Sequence, residues 1–250
     1  MNIFRLAVSF LTIIPAYSDR ADEKEMALSL YYYPLVGFLI GAGLASLAWL
    51  SNWLQLGWGG DAVVIVSWIM LSGGLHLDGL MDSADGLFSG RNRDQKLEIM
   101  KDSRVGAMGG IALVSVVLLK FALLTSIPYP AKLGALLIAP AVGRCMMVAA
   151  IILFPYARPG PGLGKCFGPE AGREKLWGAI ALLLIGTILA TQLMGLVFLA
   201  ITALLASQAA LWINNVLGGQ TGDTYGALCE ITETLFLLTA TVGMALYSLL

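Results

Sequence analysis

Charge is what this sequence has least of. Lys, Arg, Asp and Glu make up 12% of its 250 residues, about half the share of an ordinary soluble domain. Hydrophobic residues make up 58%, and a soluble globule of this size has too little polar surface to cover that much apolar material. Disordered chains are excluded for the opposite reason, being polar and charged. Histidine occurs once, at His76, and the three cysteines, Cys145, Cys166 and Cys229, are far apart in the chain. With no CxxC and no Cys/His pattern, a disulfide framework or structural zinc site is not expected, and the cysteines read as small hydrophobes. The net charge of −1 supplies no basic field for nucleic acid, so no nucleic-acid partner is expected. What remains is a chain whose main partner is the lipid bilayer.

A lipid-crossing helix needs about 20 mostly apolar residues. Candidates fall at roughly 33–54, 60–77, 107–127, 132–154, 176–192, 195–216 and 228–249. These runs are too long for strands, and a barrel would show alternating segments of about 10 residues. The expected fold is all-α, a polytopic membrane bundle of about seven transmembrane helices forming a single domain over 1–250. The division within 176–216 rests on a weak break at Thr191-Gln192.

Residues 1–16 read differently. Asn2, Arg5, Ser9 and Thr12 recur on one helical face while Ile3, Phe4, Leu6, Phe10, Leu11, Ile13 and Ile14 occupy the others, the pattern of an amphipathic helix lying in the membrane interface. A signal peptide would also place Arg5 before an apolar stretch, but the recurrent polar face, Pro15 and the charged run that follows argue against it.

The cations assign the sides. Arg5, Arg20 and Lys24 precede the first span; Arg91, Arg93, Lys96, Lys101 and Arg104 follow the second; Arg158, Lys165, Arg173 and Lys175 follow the fourth. Twelve of the fifteen cations thus lie on one side, against Lys132 alone in the opposite loops, with Lys120 and Arg144 inside spans. The positive-inside rule makes the cation-rich side cytoplasmic.

Two acidic motifs fall on that same side. In GGLHLDGLMDSADGLFSG (73–90), Asp78, Asp82 and Asp85 are spaced i, i+4, i+7 and form one stripe on a helix. Like charges there repel unless a cation intervenes, and hard carboxylate oxygens suit Mg²⁺, Mn²⁺ or Ca²⁺; a solvated acidic helix end is the plainer alternative. In NNVLGGQTGDTYGALCEITETL (214–235), Asp223, Glu230 and Glu233 share a face if the helix is continuous, a condition that Gly218, Gly219, Gly222 and Gly226 put in question. A glycine-rich turn with surface acids competes with the reading of two carboxylate clusters facing each other around one or two metal ions.

The cationic loops complement the acids. Lys101 and Arg104 in KDSRVGAMGG (101–110) precede a helix start and suit an anion. Arg158 and Lys165 in ARPGPGLGKCFG (157–168) belong either to a phosphate-binding loop or to an ordinary turn, without the spacing of a Walker loop. Arg144 within a span needs an anion or a cavity, whereas Lys120 could snorkel instead and ranks below it. His76 reads as a hydrogen-bonding neighbour of the acids rather than a ligand, and Asn214 joins the substrate-binding candidates. Gly37 and Gly41 form a GxxxG, a weak signal for helix association. Metal, carboxylates and cations at one membrane face suggest transfer chemistry on a phosphorylated substrate. A transporter would place its charges near mid-bilayer and often in inverted repeats.

The four segments GGLHLDGLMDSADGLFSG, MKDSRVGAMGG, YARPGPGLGKCFG and GGQTGDTYGALCEITE, with the N-terminal FLTIIP, resemble the adenosylcobinamide-GDP ribazoletransferase (cobalamin-5′-phosphate synthase) family across nearly the whole chain. CDP-alcohol phosphotransferases and polyprenyl transferases also carry spaced aspartates, but Asp78-Gly79 is followed here by Leu80, Met81 and Asp82 rather than a DGxxAR opening. The resemblance implies a Mg²⁺-dependent, multi-pass enzyme of the bacterial cytoplasmic membrane with its active site facing the cytoplasm. It implies attack of the 3′-hydroxyl of α-ribazole, or of its 5′-phosphate, on adenosylcobinamide-GDP, with GMP leaving and adenosylcobalamin or its 5′-phosphate formed. Asp78, Asp82 and Asp223 would then hold Mg²⁺, and Asp82, Asp85, Glu230 or Glu233 would serve catalysis. Lys101, Arg104, Arg144, Arg158, Lys165, Asn214 and His76 would bind substrate. A lipid-directed CDP-alcohol or prenyl-type transferase, and after it a transporter, are the alternatives.

Overall fold

The computed structural model describes residues 3–17, 21–158, 167 and 171–247. Those residues form helices and, among them, no strand beyond a single bridge between Tyr156 and Gln220. Two short helices, α1 (Ile3–Leu11) and α2 (Glu23–Ser29), lead into the long apolar α3 (Tyr33–Trp53). Then follow α4 (Trp58–Leu71), α5 (Leu75–Leu87), α6 (Arg93–Ile99), α7 (Ala107–Ser126), α8 (Ala131–Leu153), α9 (Arg173–Leu217) and α10 (Gly222–Tyr247).

Among the described residues five helices can cross a membrane by length and apolarity, or six if α4 and α5 count together as one broken span. The expected seven is not reached by that measure, and the two departures have physical causes. The expected span 60–77 ends early: α4 stops at Leu71, Gly73 and Gly74 take left-handed conformations, and α5 leaves at 84° to α4. A chain turning that sharply needs positive φ in consecutive residues, which glycine adopts without steric cost. Residues 176–216, expected as two spans, lie in the single 45-residue α9, yet Gln192 within it is non-helical at φ 57°, ψ −145°. The two arms of α9 fold back on each other there: Leu176, Ile180 and Leu183 line one cavity of about 370 Å³ together with Leu196, Leu199 and Ala203.

Contacts at the break in α9 and just beyond its end agree with this reversal. A Cβ on Gly134, near the start of α8, would meet Thr191 beside the break. Beyond the far end of α9, Gly219 lies against Pro155 and Ala157, just past the end of α8.

The central contact is α3 on α8. Gly37 and Gly41 let the backbones touch: a Cβ on Gly37 would lie 2.6 Å from the Pro140 carbonyl oxygen, and one on Gly41 2.6 Å from that of Leu136. The weak GxxxG signal therefore marks the closest helix crossing of this region, where small residues replace side-chain interdigitation with direct backbone packing. Around it Tyr33, Leu44, Leu136, Ile138 and Val148 are buried.

The N-terminal amphipathic helix is shorter than expected and is not simply laid on lipid. Leu6, Ala7, Val8 and Leu11 of α1 are buried in the same core as α3. Its polar face closes the turn that follows: Arg5 Nε donates to the Ala16 carbonyl at 2.6 Å, and Ser9 Oγ accepts from the Tyr17 amide at 2.7 Å. The Ile13 amide donates to the Leu71 carbonyl at 3.0 Å, docking this turn on the end of α4.

Gly37→Leu or Gly41→Leu should prevent recovery of monodisperse folded protein, because the added side chain collides with backbone. Gly43→Leu, at a position with nothing within 4 Å, should leave size-exclusion behaviour and the thermal unfolding midpoint unchanged.

Candidate active site

All three aspartates of the first acidic motif lie on α5, a helix of 13 residues, so their spacing does produce one stripe. The stripe is carried by a separate helix after the bend rather than by the continued end of the expected second span. Asp78 is exposed, and Asp82 and Asp85 are half-buried. Among the described residues Asp78 and Asp82 hold no ion pair and no side-chain hydrogen bond, whereas Asp85 is fully engaged. Its two oxygens accept from the Gly106 and Gly109 amides, each at 2.8 Å. These are unpaired donors at the start of α7, so Asp85 caps that helix from a neighbouring one. The small residues at Gly106 and Gly109 are required by this approach. Spacing alone made Asp85 a catalytic candidate; its contacts make it the tie between α5 and the 101–110 loop.

The second motif splits. Helix α10 begins at Gly222 and is continuous, so Asp223, Glu230 and Glu233 do share a face. Asp223 sits at the first turn and meets α5, while Glu230 lies about 10 Å further along the axis. The meeting is a backbone contact of two antiparallel helices. A Cβ on Gly79 would lie 2.6 Å from the Asp223 carbonyl oxygen, and one on Gly226 would lie 3.1 Å from the His76 Cα and carbonyl oxygen. Two glycines, one on each helix, thus bring Asp223 to the acids of α5.

The cationic loops reach the same place. Arg158 Nη2 pairs with Asp223 Oδ2 at 2.5 Å and approaches the Met100 carbonyl at 3.4 Å. The Ala157 amide donates to the Gln220 carbonyl, and the Gln220 amide to the Pro155 carbonyl, both at 2.8 Å. Arg93, counted in the sequence only as a loop cation, clasps this corner: its Nε donates to the Leu217 carbonyl at 2.7 Å and its Nη2 to the Ala157 carbonyl at 2.8 Å. Lys96 Nζ donates at 2.5 Å to the Leu87 carbonyl at the end of α5.

Other substrate-binding candidates are placed less directly. Lys101 and Arg104 are exposed and already paired, with Glu98 at 2.9 Å and Asp102 at 2.6 Å. The Arg104 guanidinium holds the Asp102 carboxyl down at about 2, so that pair is ionised across the whole neutral range. Asn214 is half-buried one turn before the end of α9, with its Oδ1 buried and without a partner among the described residues. Lys165 lies outside the described residues.

Glu230, Glu233, Arg144 and His76 form a second, buried group. Lys120 Nζ pairs with Glu230 Oε2 at 2.7 Å and with Glu233 Oε2, and Arg144 Nη1 pairs with Glu233 Oε1. Arg144 Nη2 lies 3.3 Å from His76 Nδ1, and Lys120 Nζ stands 4.4 Å from the centre of the Trp68 ring. Arg144, Glu233, His76 and Glu230 are all buried, so the structure brings the substrate-binding candidates Arg144 and His76 and the catalytic candidates Glu230 and Glu233 to one another inside the bundle. Lys120 does not snorkel, because two carboxylates inside the bundle hold it. The missed signal was arithmetic: the spans contain two cations, Lys120 and Arg144, and two acids of α10, and charges in lipid pair with one another.

Mg²⁺ can be tested against these residues. Among the described residues no group of three or more His, Cys, Asp or Glu side chains is gathered closely enough to hold a metal, so Asp78, Asp82 and Asp223 are not a ready-made cage. Mg²⁺ is commonly held by one or two carboxylates plus substrate phosphates and water. Two unpartnered aspartates on α5 beside Asp223 fit that mode.

A profile of the cobalamin-5-phosphate synthase family matches residues 3–241. The chain is 50% identical over 230 residues to the adenosylcobinamide-GDP ribazoletransferase of Desulforamulus reducens, covering 92% of each chain. The Herpetosiphon aurantiacus protein of the same name is 44% identical, again over 92% of both. That of Roseiflexus sp. is 41% identical over 95% of this chain and 88% of the relative. No solved structure matches the chain.

Arg93→Ala removes both backbone clasps at the corner of the site. It should raise the rate at which limited proteolysis cuts the segment beginning at Ala157 several-fold, whereas Arg91→Ala, on an exposed side chain, should not change it. Equal rates for the two variants would remove Arg93 from this role.

Proposed function

The chain belongs to the cobalamin-5-phosphate synthase family, and on that premise we propose that it joins α-ribazole, or its 5′-phosphate, to adenosylcobinamide-GDP. GMP is released and adenosylcobalamin, or its 5′-phosphate, is formed. The observation that carries the reading to particular residues is the convergence of three separated motifs at one corner: Asp78 and Asp82 from the first, Asp223 from the last, and Arg158 from the loop between α8 and α9. No comparable observation favours a lipid-directed transferase or a transporter.

In this reaction the ribose 3′-hydroxyl oxygen bonds to the phosphorus carrying the cobinamide arm. The bond from that phosphorus to the oxygen bridging towards GMP breaks, and GMP leaves with that oxygen. Mg²⁺ held by Asp78, Asp82 and Asp223 together with the diphosphate would offset the charge that gathers on the phosphates. Asp82, half-buried and without an ion-pair partner among the described residues, is the carboxylate we assign to accept the hydroxyl proton. Arg158 is already paired with an anion, and we assign it to the leaving phosphate, exchanging Asp223 for the substrate. Lys101 and Arg104, exposed on the adjoining loop, add positive charge along the approach. The excess of Lys and Arg on this side of the membrane supports a site facing the cytoplasm of a bacterial inner membrane.

Purified protein in lipid nanodiscs, given adenosylcobinamide-GDP, α-ribazole and Mg²⁺, should release one GMP per cobalamin formed; absence of GMP would overturn the assignment. Asp82→Asn should lower turnover at least ~1,000-fold, the size of a lost acid–base and charge-holding group, while leaving the unfolding midpoint near that of the parent. Arg158→Ala should raise KM for adenosylcobinamide-GDP about tenfold or more, as expected for a lost charge-assisted contact, with a smaller effect on KM for α-ribazole.

A further inference from the structure

The largest set of charges that the reaction leaves unused is the buried one. Lys120 of α7, Arg144 of α8, and Glu230 and Glu233 of α10 balance to zero, and His76 of α5 and Trp68 of α4 touch the two cations. Three helices therefore meet in ionic contacts inside the bundle, and α5 and α4 join them through His76 and Trp68. Buried ion pairs are seldom a gain in stability over apolar packing, because removal of each charge from water offsets most of the attraction. What such a set does supply is geometry, since a displaced helix would leave an unpaired charge in an apolar interior.

The group also lies beside the site along two helices at once. His76 precedes Asp78 by two residues on α5, and the same stretch of α5 carries the backbone contacts of Gly79 with Asp223 and of Gly226 with His76.

We propose that Lys120, Arg144, Glu230 and Glu233, acting through His76, are positioning residues that fix α5 against α10 and so set the placement of Asp78 and Asp82 relative to Asp223. In this assignment Glu230 and Glu233 never touch substrate. The inference deepens the ribazole-transfer reading and rests on it for the kinetic part of its test.

Wild type, Lys120→Met, Glu230→Gln, the Lys120→Met/Glu230→Gln pair and Arg144→Lys are compared in nanodiscs. The readouts are the unfolding midpoint, its rise with added Mg²⁺, and the kcat and pH profile of GMP release. Each single change at Lys120 or Glu230 unbalances the group and should lower both midpoint and kcat. The double change removes one charge of each sign and should restore both, with kcat within about tenfold of wild type, the residue of a coupling that double-mutant comparison isolates, and with an unchanged pH profile. A catalytic Glu230 would instead leave the double variant at least ~100-fold down in kcat, which would overturn the proposal, as would a double variant no better than its worse single.

Arg144→Lys keeps the charge but offers one nitrogen where two are used, for Glu233 and for His76. It should fold and should need several-fold more Mg²⁺ for its half-maximal rise in midpoint. A folded Arg144→Lys protein with the wild-type Mg²⁺ response would show the group to be structural only and would also overturn the proposal. If the wild type releases no GMP, the reaction assignment fails, while the Mg²⁺-dependent midpoints still decide this one.

Discussion

Within a bilayer a charged side chain is held only beside its opposite, and the interior of this bundle is arranged around that constraint. Lys120 and Arg144 enter from α7 and α8, and both are met by α10, whose Glu233 accepts from each of them. Removing one member would leave the group with a net charge and no water around it, a change that costs about 3–5 kcal/mol. The contacts of α10 with α5, α7 and α8 are thus linked: none of these helices can slide without disturbing the others. The close approach of α3 and α8 is set separately, by backbone contact at Gly37 and Gly41.

From that centre the site is reached through backbone rather than side-chain contacts. Gly79 and Gly226 allow α5 and α10 to touch directly, so the acids of two distant motifs meet without any bond between their side chains. Asp85 ties the other side of α5 to the start of α7, and Arg93 and Lys96 hold carbonyls at the ends of α9 and α5. Asp78 and Asp82 are left without an ion-pair partner among the described residues, with the Arg158–Asp223 pair beside them.

Much of this was legible in the sequence for identifiable reasons. Apolar runs of bilayer length mark helices wherever they occur, so the limits of α3, α7 and α8 fall within a residue of those expected, while α10 begins six residues before its expected start. The period of the Asp stripe survives because α5 contains all three positions. Three things were not legible. The bend at Gly73-Gly74 is a turn within an apolar run, and hydropathy does not record direction. Asp85 looks like its neighbours until the α7 amides appear beside it. Glu230 and Glu233 have the same spacing whether they face water or Lys120, since periodicity fixes the face of a helix and not what lies opposite. The fold-back at Gln192 stood at the weakest of the expected boundaries because no proline or glycine marks it.

With 14 residues, α4 is about 21 Å long, shorter than a hydrocarbon core of about 30 Å, and with α5 it makes at most one span, broken by the 84° turn. A straight continuation would have threaded the three aspartates of α5 along the line of the apolar α4. The turn gives them an axis of their own, chosen by the two glycines between the helices and not by the hydropathy of the run that contains them.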